Sequence, residues 1–594
     1  MNLHNISTIS RYETRLLRRG WLFRIFAILS LVTVTGCHVI FQSNMFNAQW
    51  DMTAMSCSIP FVNTYIFNIA QSIIAIFLAG SFLKRDKKLD TAEVIYVHPM
   101  SNADYIVGKT WGIIQVFVGL NLVGMAIAML IHFFASDSSF SVYPYFFYLF
   151  TLSLPSLIFV LGLSFVIMSL TRNQAVTFVV MLGFIGVTLF YLGDVEHGAF
   201  DFFAMTLPNI FSDVVGHADL KPYLTQRLAF LLLGIALLIF TIVMVQRLPL
   251  HPRKNVWLRI AACVVLLGGA GFLYEYVGHF QEIKSRREVY VDTYRKYSQE
   301  KRGSLLRQQL SYAQRDGRMR AEALLTVQNR QREVLDRLVF YLNPLLQVTE
   351  ITQDGRPVEF EREEQAVVVK LSLRPDEVAT LRMAYEGGVD ENICYVDVND
   401  EDFYNTVNGN TTLRFGKHYA FLDKRFTLLT PEVLWYPVCQ PPVNPENPYN
   451  LRKDFTEYVL RVANPEGRTV LSQGKETVSG DTVVFVNETR LPGISLAIGD
   501  YEKKSIEVDS TEFAFYVFEG HDIYSDVFVE IQDTLEGFIR DLKTDYELRK
   551  GRKYPFRRFA LTETPVSFAG YVRNWKGNSE QIQPEYVFLN EWGL

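Results

Sequence analysis

Few residue patterns in this chain have the spacing of a known reaction centre. Residues 103–110 (ADYIVGKT) end in the Gly-Lys-Thr of a phosphate-binding loop, whose GxxxxGK[ST] pattern cradles phosphates with backbone amides. The first glycine of that pattern is missing, and a long apolar run follows in place of the soluble helix of a nucleotide fold. We therefore predict that this chain binds no ATP itself.

The cysteines do not suggest a metal site. No CxxC pair and no histidine-rich neighbourhood accompany the five thiols, Cys37, Cys57, Cys263, Cys394 and Cys439, so structural zinc is not expected. Isolated thiols are the favoured interpretation. If the second half of the chain lies outside the cytoplasm, Cys394 and Cys439 could form a disulfide. We predict no metal and no cofactor bound by this chain.

The first half of the chain is dominated by apolar runs of about the length that crosses a lipid bilayer. Seven such runs occupy residues 21–41, 61–83, 107–135, 145–170, 175–193, 228–245 and 257–277. Each can satisfy its backbone hydrogen bonds inside a bilayer only as a helix. A net charge of -5 without a long basic tract gives no support for nucleic-acid binding.

The short loops carry their positive charge on alternate sides of the predicted membrane. Lysines and arginines lie before the first run, after the second, after the fourth and after the sixth, whereas residues 42–60 and 136–144 contain neither. The positive-inside rule therefore places the N-terminus in the cytoplasm and the second half of the chain on the opposite face. Lys284, Arg286 and Arg287 oppose this orientation, but a long translocated domain can override local charge.

Four amides interrupt the apolar runs: Asn63, Asn68, Gln71 and Asn121. Polar side chains inside a membrane are costly, so they line a substrate path or hydrogen-bond between helices. Hydrogen bonds between helices are the commoner explanation, and a translocation path is the alternative.

The segment after the second run contains a charged stretch and a Pro-Met-Ser turn in residues 84–101 (KRDKKLDTAEVIYVHPMS), followed by a Gly-Lys pair in residues 105–109 (YIVGK) at the next span. This order resembles the charged cytoplasmic helix, the P-(M/L/I)-S turn and the Gly-Lys of the permease subunits of type-2 ABC exporters (the ABC-2 superfamily). Residues 9–19 are similar to its interfacial helix. Residues 200–215 are similar to its outer re-entrant helices, with an interfacial loop as the alternative.

This resemblance implies partners and a docking segment. A separate ABC ATPase subunit would bind and hydrolyse ATP to drive transport. The chain would form a dimer with a second copy or with another permease. The ATPase-coupling segment would comprise Lys84, Arg85, Lys87, Lys88, Glu93, Pro99 and Lys109. An ordinary positive-inside anchor explains the charges at 84–88 equally well.

The second half alternates apolar and polar residues with period two, as strands do. Examples are residues 321–327, 366–371 and 381–385, with a turn at 353–355, after a charged helix predicted over 281–307. The predicted fold class is an α-helical polytopic membrane domain of about seven spans plus a mainly-β extracytoplasmic saddle or sandwich domain with a small α/β C-terminal extension.

The second half is also similar to the N-terminal β-saddle of the gluzincin zinc aminopeptidases, the leukotriene-hydrolase-like family. The similarity rests on Asn329 and on residues 342–348 (LNPLLQV), 385–387 (YEG), 435–442 (WYPVCQPP), 455–463 and 471–474 (LSQG). That family needs HExxH and a distant glutamate to hold zinc, and HExxH does not occur in this sequence. His521 precedes Asp522 without a ligand at i+4, so we predict a surface or core histidine there.

These observations predict four regions and leave alternative functions open. The regions are a permease-like domain of six spans (1–250), an extra span and stalk (251–307), a β-saddle (308–507) and an α+β extension (508–594) leading toward an absent catalytic domain. The favoured function is an exporter permease in the bacterial inner membrane with a non-catalytic head. The alternative is an aminopeptidase-related module, or an envelope scaffold, that works with a separate catalytic partner.

Overall fold

The computed structural model describes residues 2–42, 55–87, 100–135, 139–245, 252–399, 403, 415–444, 453–464, 466–522, 532–571 and 581–591. The chain separates into two compact units. The membrane unit comprises Met1–Phe211, Asp219–Gln281 and Thr406–Phe415, and the head comprises Ser212–Ala218, Glu282–Asn405 and Gly416–Leu594. Helices build the first unit and β-sheets the second, which confirms the predicted fold class. The finer division at residues 250, 307 and 507 stays a prediction.

The membrane unit is a bundle of helices. Their bounds are α1 (Leu3–Arg19), α2 (Trp21–Gln42), α3 (Ser58–Lys87), α4 (Asn102–Ala135), α5 (Tyr143–Tyr148), α6 (Leu154–Thr171), α7 (Gln174–Phe190), α8 (Leu220–Met244) and α9 (Pro252–Lys296). Among the described residues, six helical segments are long and apolar enough to cross a membrane, α5 and α6 counting as one. A seventh results if α7 and the short helix Leu192–Gly198, bent by 55° from it, are counted together.

Two predicted helices end differently in the structure. The fifth predicted span, 175–193, is α-helical only to Phe190, because Tyr191 has non-helical backbone angles (φ -141°, ψ -56°) that end the helix. The helix predicted over 281–307 is the end of α9, which stops at Lys296, and a strand begins at Ser304. The prediction of helix beyond Lys296 was therefore wrong.

Helices α6 and α8 pack with their backbones almost in contact. A Cβ atom on Gly162 would lie 2.6 Å from the Gly234 carbonyl oxygen, and one on Gly234 would lie 2.7 Å from the Phe159 nitrogen. Small residues permit this close approach, which is how membrane helices gain packing energy when lipid is as apolar as their side chains. Two local features mark the start of α6. The π-helical turn Leu149–Ser153 precedes it, and Pro155, which has no backbone N–H, lies in its first turn, where that N–H is not needed.

The described residues of the head form four sheets. In chain order its strands are β1 (Ser304–Arg315), β2 (Arg318–Gln328), β3 (Leu338–Tyr341), β4 (Leu346–Gln353), β5 (Arg356–Pro357), β6 (Phe360–Glu363), β7 (Ala366–Val369), β8 (Val378–Gly387), β9 (Phe421–Leu422), β10 (Thr427–Leu429), β11 (Glu457–Ala463), β12 (Thr469–Leu471), β13 (Lys475–Ser479), β14 (Thr482–Val486), β15 (Leu496–Gly499), β16 (Tyr501–Val508), β17 (Thr511–Phe518), β18 (Arg558–Thr564), β19 (Ile582–Gln583) and β20 (Tyr586–Asn590). Helix α10 (Gln532–Lys550) lies between β17 and β18.

The strands of the head are paired in a defined order within each sheet. The largest sheet runs β13-β14-β11-β1-β2-β8-β4-β5, and the others run β12-β15-β10-β9, β16-β17-β18-β20-β19 and β3-β7-β6. Asp316 and Gly317 both have positive φ and close the β1–β2 hairpin, a turn that matches the twist of the strands. Alternate residues of β1 and β2 are buried in a core that includes the fully buried Trp435.

Candidate functional site

Helix α1 is amphipathic and packs along the first half of α4. Its buried residues, Ile6, Ser10, Glu13 and Leu17, recur at helical spacing, while its arginines are exposed. On α4, a Cβ atom at Gly108 would lie 2.8 Å from Ile9 Cβ, and one at Gly112 would lie 2.9 Å from Glu13 Cβ. The two glycines therefore allow α1 to lie directly on α4.

A buried ion pair joins these two helices. Lys109 Nζ on α4 lies 3.7 Å from a carboxylate oxygen of Glu13 on α1, and the two side chains are 6% and 3% exposed. Ser10 Oγ donates to Gln115 Oε1 at 2.8 Å, six residues further along α4. Because desolvated charges are stable only when paired, the pair fixes the register of α1 on α4.

The rest of the predicted coupling segment is only partly described. Lys84, Arg85 and Lys87 lie in the last turns of α3, and only their backbone placement is described. Lys88, Glu93 and Pro99 lie outside the described residues. The start of α4 is tied to the end of α8, because Asn102 Nδ2 donates to the Val245 carbonyl at 2.9 Å.

Three of the four predicted intramembrane amides form one hydrogen-bonded chain between α3, α4 and α6. Asn121 Nδ2 donates to Gln71 Oε1 at 2.9 Å, and Gln71 Nε2 donates to Asn68 Oδ1 at 3.1 Å and to Ser153 Oγ at 2.7 Å. Asn68 Nδ2 in turn donates to Ser156 Oγ at 3.2 Å. Asn63 is buried on α3 but is not part of this chain.

Arg227 on α8 completes the network. Its Nη2 donates to Ser156 Oγ and to the Phe202 carbonyl, both at 3.0 Å, and its Nε donates to the Thr151 carbonyl at 2.9 Å. The residue is only 2% exposed. Seven residues of helix separate it from Leu220, or about 10 Å along the axis. A charged group so far into a membrane helix marks a functional site by default.

The loop that Arg227 contacts is a folded segment of residues 199–211. The Asp201 carboxylate accepts bonds from the amides of Phe203 at 2.9 Å, Met205 at 2.6 Å and Thr206 at 2.8 Å. Gln226 Nε2 donates to the Asp201 carbonyl at 2.7 Å. Phe202 and Phe203 are fully buried. The segment is thus a buried loop rather than the re-entrant helix that its sequence resembles.

The negative charge of the loop is compensated by the positive charge of Arg227 on α8. The buried Asp201 carboxylate and the buried Arg227 guanidinium attract each other. The network therefore connects four helices, α3, α4, α6 and α8, to the loop through groups that satisfy one another. This arrangement can fix the loop against the helix bundle, which favours the interpretation of the amides as bonds between helices. Among the described residues, no group of three or more His, Cys, Asp or Glu could hold a metal ion.

Sequence reasoning missed Arg227 and Glu13. The sixth apolar run begins at Leu228, directly after Arg227, whereas the helix itself begins at Leu220 and therefore includes Arg227. Glu13 stands in an arginine-rich helix, and only its position on the same face as Ile6 and Leu17 signals that it is buried.

The two cysteines proposed as a disulfide are separate thiols in the structure. Cys394 and Cys439 are both buried in the core of the head. Burial raises the pKa of each thiol well above its usual value, so both remain protonated at neutral pH. Their location agrees with isolated structural thiols.

No protein-family model matches this sequence, and a comparison with curated proteins gives no significant match. Among solved structures, the M1 zinc metallopeptidase of Deinococcus radiodurans shares 16% identity, over 49% of this chain and 61% of that chain, with a TM-score of 0.32. A two-domain M1 zinc metallopeptidase bound to L-tryptophan shares 16% identity over 46% and 59%, with a TM-score of 0.31. Aminopeptidase A of Legionella pneumophila shares 12% over 46% and 30%, with a TM-score of 0.34.

These neighbours belong to the peptidase class that the sequence of the head resembles. The chain spans about six-tenths of the length of the M1 metallopeptidases it matches. Likeness at this level assigns neither an activity nor a substrate to this chain. The resemblance of the membrane unit to exporter permeases stays a prediction.

Reversing the buried ion pair tests how α1 is held. We expect Lys109→Glu and Glu13→Lys each to lower the midpoint of thermal unfolding, because each places two like charges in a desolvated site at a cost of about 3 kcal/mol or more. The double variant restores opposite charges and should recover most of the loss. Equal and additive effects of the two changes, measured on purified protein in detergent, would contradict the pairing.

Replacing Arg227 tests the network. Arg227→Met removes every bond to Thr151, Ser156 and Phe202, and we expect it to lower the free energy of unfolding by about 2–4 kcal/mol. Arg227→Lys keeps the charge but loses the planar fork, so it should recover only part of this loss. The check is thermal unfolding followed by tryptophan fluorescence, with Arg172→Met at the exposed end of α6 as the control. An Arg227→Met protein as stable as the control would show that the network does not hold the fold.

Proposed function

We propose that this chain is the permease subunit of an ABC-type exporter, driven by a separate ATPase and paired with a second copy or another permease. The head is proposed to be an extracytoplasmic binding domain without catalytic activity. The membrane unit is proposed to lie in a bacterial inner membrane with its N-terminus in the cytoplasm.

The observation that carries the proposal is the buried network around Arg227. A membrane anchor needs one apolar helix and no internal charge, whereas this unit keeps an arginine, an aspartate and three amides away from lipid. Groups of this kind are retained when a membrane domain has to change state or contact a polar substrate. The network therefore supports a transport role over an anchoring one.

The contact of α1 with α4 supports the same role. Under the predicted topology, α1, the end of α3 and the start of α4 all lie on the cytoplasmic side, where an ATPase would dock. The pair of Glu13 with Lys109 joins the first of these elements to the third. The bond from Asn102 to Val245 continues this connection to α8, the helix that carries Arg227. We therefore expect a displacement of the docking segment to be transmitted through these contacts to the membrane-spanning helices.

The head is proposed to bind rather than to cleave. Its sequence contains no HExxH, and both of its cysteines are buried thiols with raised pKa values. A peptidase of the gluzincin type would need a zinc-bound water that this set of residues does not supply. The head could hold a peptide or protein substrate at the outer face for a catalytic partner or for export.

Isolation of the complex tests the transport role. We expect an ATPase of the ABC class to copurify with the chain from mild detergent, and we expect Lys84→Glu with Lys88→Glu to remove it by reversing charge in the docking segment. The same charge change in the head, Lys424→Glu with Arg425→Glu, should leave the complex intact and serves as the control. Stable assembly with no ATPase in any preparation would contradict the proposal and favour a scaffold.

An activity assay tests the head. We expect purified chain to release no amino acid from aminoacyl-p-nitroanilide substrates above background, with or without added Zn²⁺, because the zinc-binding pattern is absent. A chelator should therefore change nothing. Turnover that depends on zinc and is lost on chelation would assign a peptidase activity to this chain and overturn a purely binding head.

A further inference from the structure

The hairpin formed by residues 212–218 belongs to the head, although the chain on both sides of it belongs to the membrane unit. Two backbone bonds close it, from the Ser212 amide to the Gly216 carbonyl and back, both at 2.9 Å. Ser212 Oγ also accepts from the amides of Val214 and Val215 at 3.2 Å. The hairpin is thus a small ordered element between α7 and α8 in sequence.

A histidine between two carboxylates holds this hairpin. His521, which follows β17, has Nδ1 at 2.8 Å from Glu563 Oε1 on β18 and Nε2 at 3.1 Å from Asp213 Oδ2 on the hairpin. Since both ring nitrogens face carboxylate oxygens, both are donors and the ring is an imidazolium. The side chains of His521 and Glu563 are only 1% and 2% exposed, and that of Asp213 is 18% exposed.

A third carboxyl group completes the cluster. Glu591, directly after β20, accepts from the Asp213 amide at 3.3 Å through one oxygen and from the Val566 amide at 2.9 Å through the other. It is almost fully buried. The hairpin is therefore bound at Asp213 twice, through its side chain by His521 and through its backbone by Glu591.

Apolar contacts support the same docking. Val214 and Val215, at the tip of the hairpin, pack against a buried cluster of the head that includes Phe426, Phe518 and Phe588. The hairpin is therefore held by apolar contacts as well as by the polar contacts of Asp213.

We propose that the hairpin is a latch of the head, docked by the buried imidazolium of His521, and that loss of this pairing releases the hairpin while the head stays folded. Release would free a loop whose two ends lead into α7 and α8. The latch stands on the contacts within the head and does not require the chain to be an exporter.

The charges around His521 give the latch a pH dependence. Burial by itself lowers the pKa of His521, but the bonds to Asp213 and Glu563 outweigh it and raise that pKa to about 10. Burial raises the pKa of Glu591 to about 8, with the charge of Asp213 adding to it. The nearby groups on β16 are Tyr501, which donates to the Glu563 carbonyl, and Lys504, which pairs with Asp522.

Both shifts weaken the latch as pH rises. The stability from His521 is complete below its unfolded pKa of 6.5 and is lost as pH rises through about 10. The stability from neutral Glu591 is complete below 4.5 and is lost as pH rises through about 8. Between pH 7 and 9 the hairpin should therefore loosen, because the contribution of His521 falls throughout this window and the remaining contribution of Glu591 is lost near pH 8.

Hydrogen exchange followed by mass spectrometry on the full chain in detergent tests the latch. We expect His521→Gln to speed exchange in the peptide that contains Asp213, Val214 and Val215 by about tenfold or more, with the β1–β2 hairpin unchanged. His418→Gln is the matched control, because the His418 side chain pairs at 2.8 Å with Glu391, a carboxylate outside the cluster around His521. Unchanged exchange in the His521→Gln hairpin would overturn the proposal.

Two further variants keep the test decisive if His521→Gln fails to fold. Asp213→Asn changes the least buried side chain of the cluster, so it should speed hydrogen exchange in the hairpin alone. Exchange that rises throughout the head would instead show that the cluster is part of the structural core, and would contradict a latch. Glu591→Gln removes the ionisation near pH 8, so the wild-type loss of protection from pH 7 to 9, after correction for intrinsic exchange rates, should become smaller. An identical loss in this variant would refute the pH dependence.

Discussion

The membrane unit is organised by one requirement, that a charged arginine inside a helix bundle must have every donor satisfied. Each of the three nitrogens of Arg227 has an acceptor: Nε binds the Thr151 carbonyl, Nη1 the Gln226 side-chain oxygen, and Nη2 the Ser156 hydroxyl and the Phe202 carbonyl. An unpaired group of this kind costs several kcal/mol in a membrane, so the helices must bring these acceptors to it. Two further features lie where α6 approaches α8. They are the π-helical turn before α6 and the close contact of Gly162 with Gly234.

The loop after α7 takes its conformation from the same requirement. Its carbonyl at Phe202 is an acceptor for Arg227, and Asp201 supplies the opposite charge while its carboxylate binds three amides of its own loop. Beyond Phe211 the chain enters the hairpin that His521 holds in the head. Two buried cations, one in each unit, thus fix consecutive stretches of the segment between α7 and α8.

Much of the architecture could be predicted because it depends on patterns of one residue type. Apolar runs locate the spans, and alternation locates strands such as β2 and β8, which contain the predicted residues 321–327 and 381–385. The sites depend on partners far apart in sequence, and no local pattern reveals them. Nothing near Arg227 indicates Ser156, and nothing near His521 indicates Asp213. The amides were found because asparagine and glutamine are rare in apolar runs, but their pairing required the fold.

The most direct test of this account is the energetic coupling between Arg227 and Gln71, which are joined through Asn68 and Ser156. Unfolding free energies of Arg227→Met, Gln71→Leu and the double variant give that coupling, with Arg227→Met and Asn102→Leu as a pair outside the network. One connected network predicts a coupling of about 1 kcal/mol or more for the first pair and additivity within about 0.5 kcal/mol for the second. Additive effects in both pairs would contradict it.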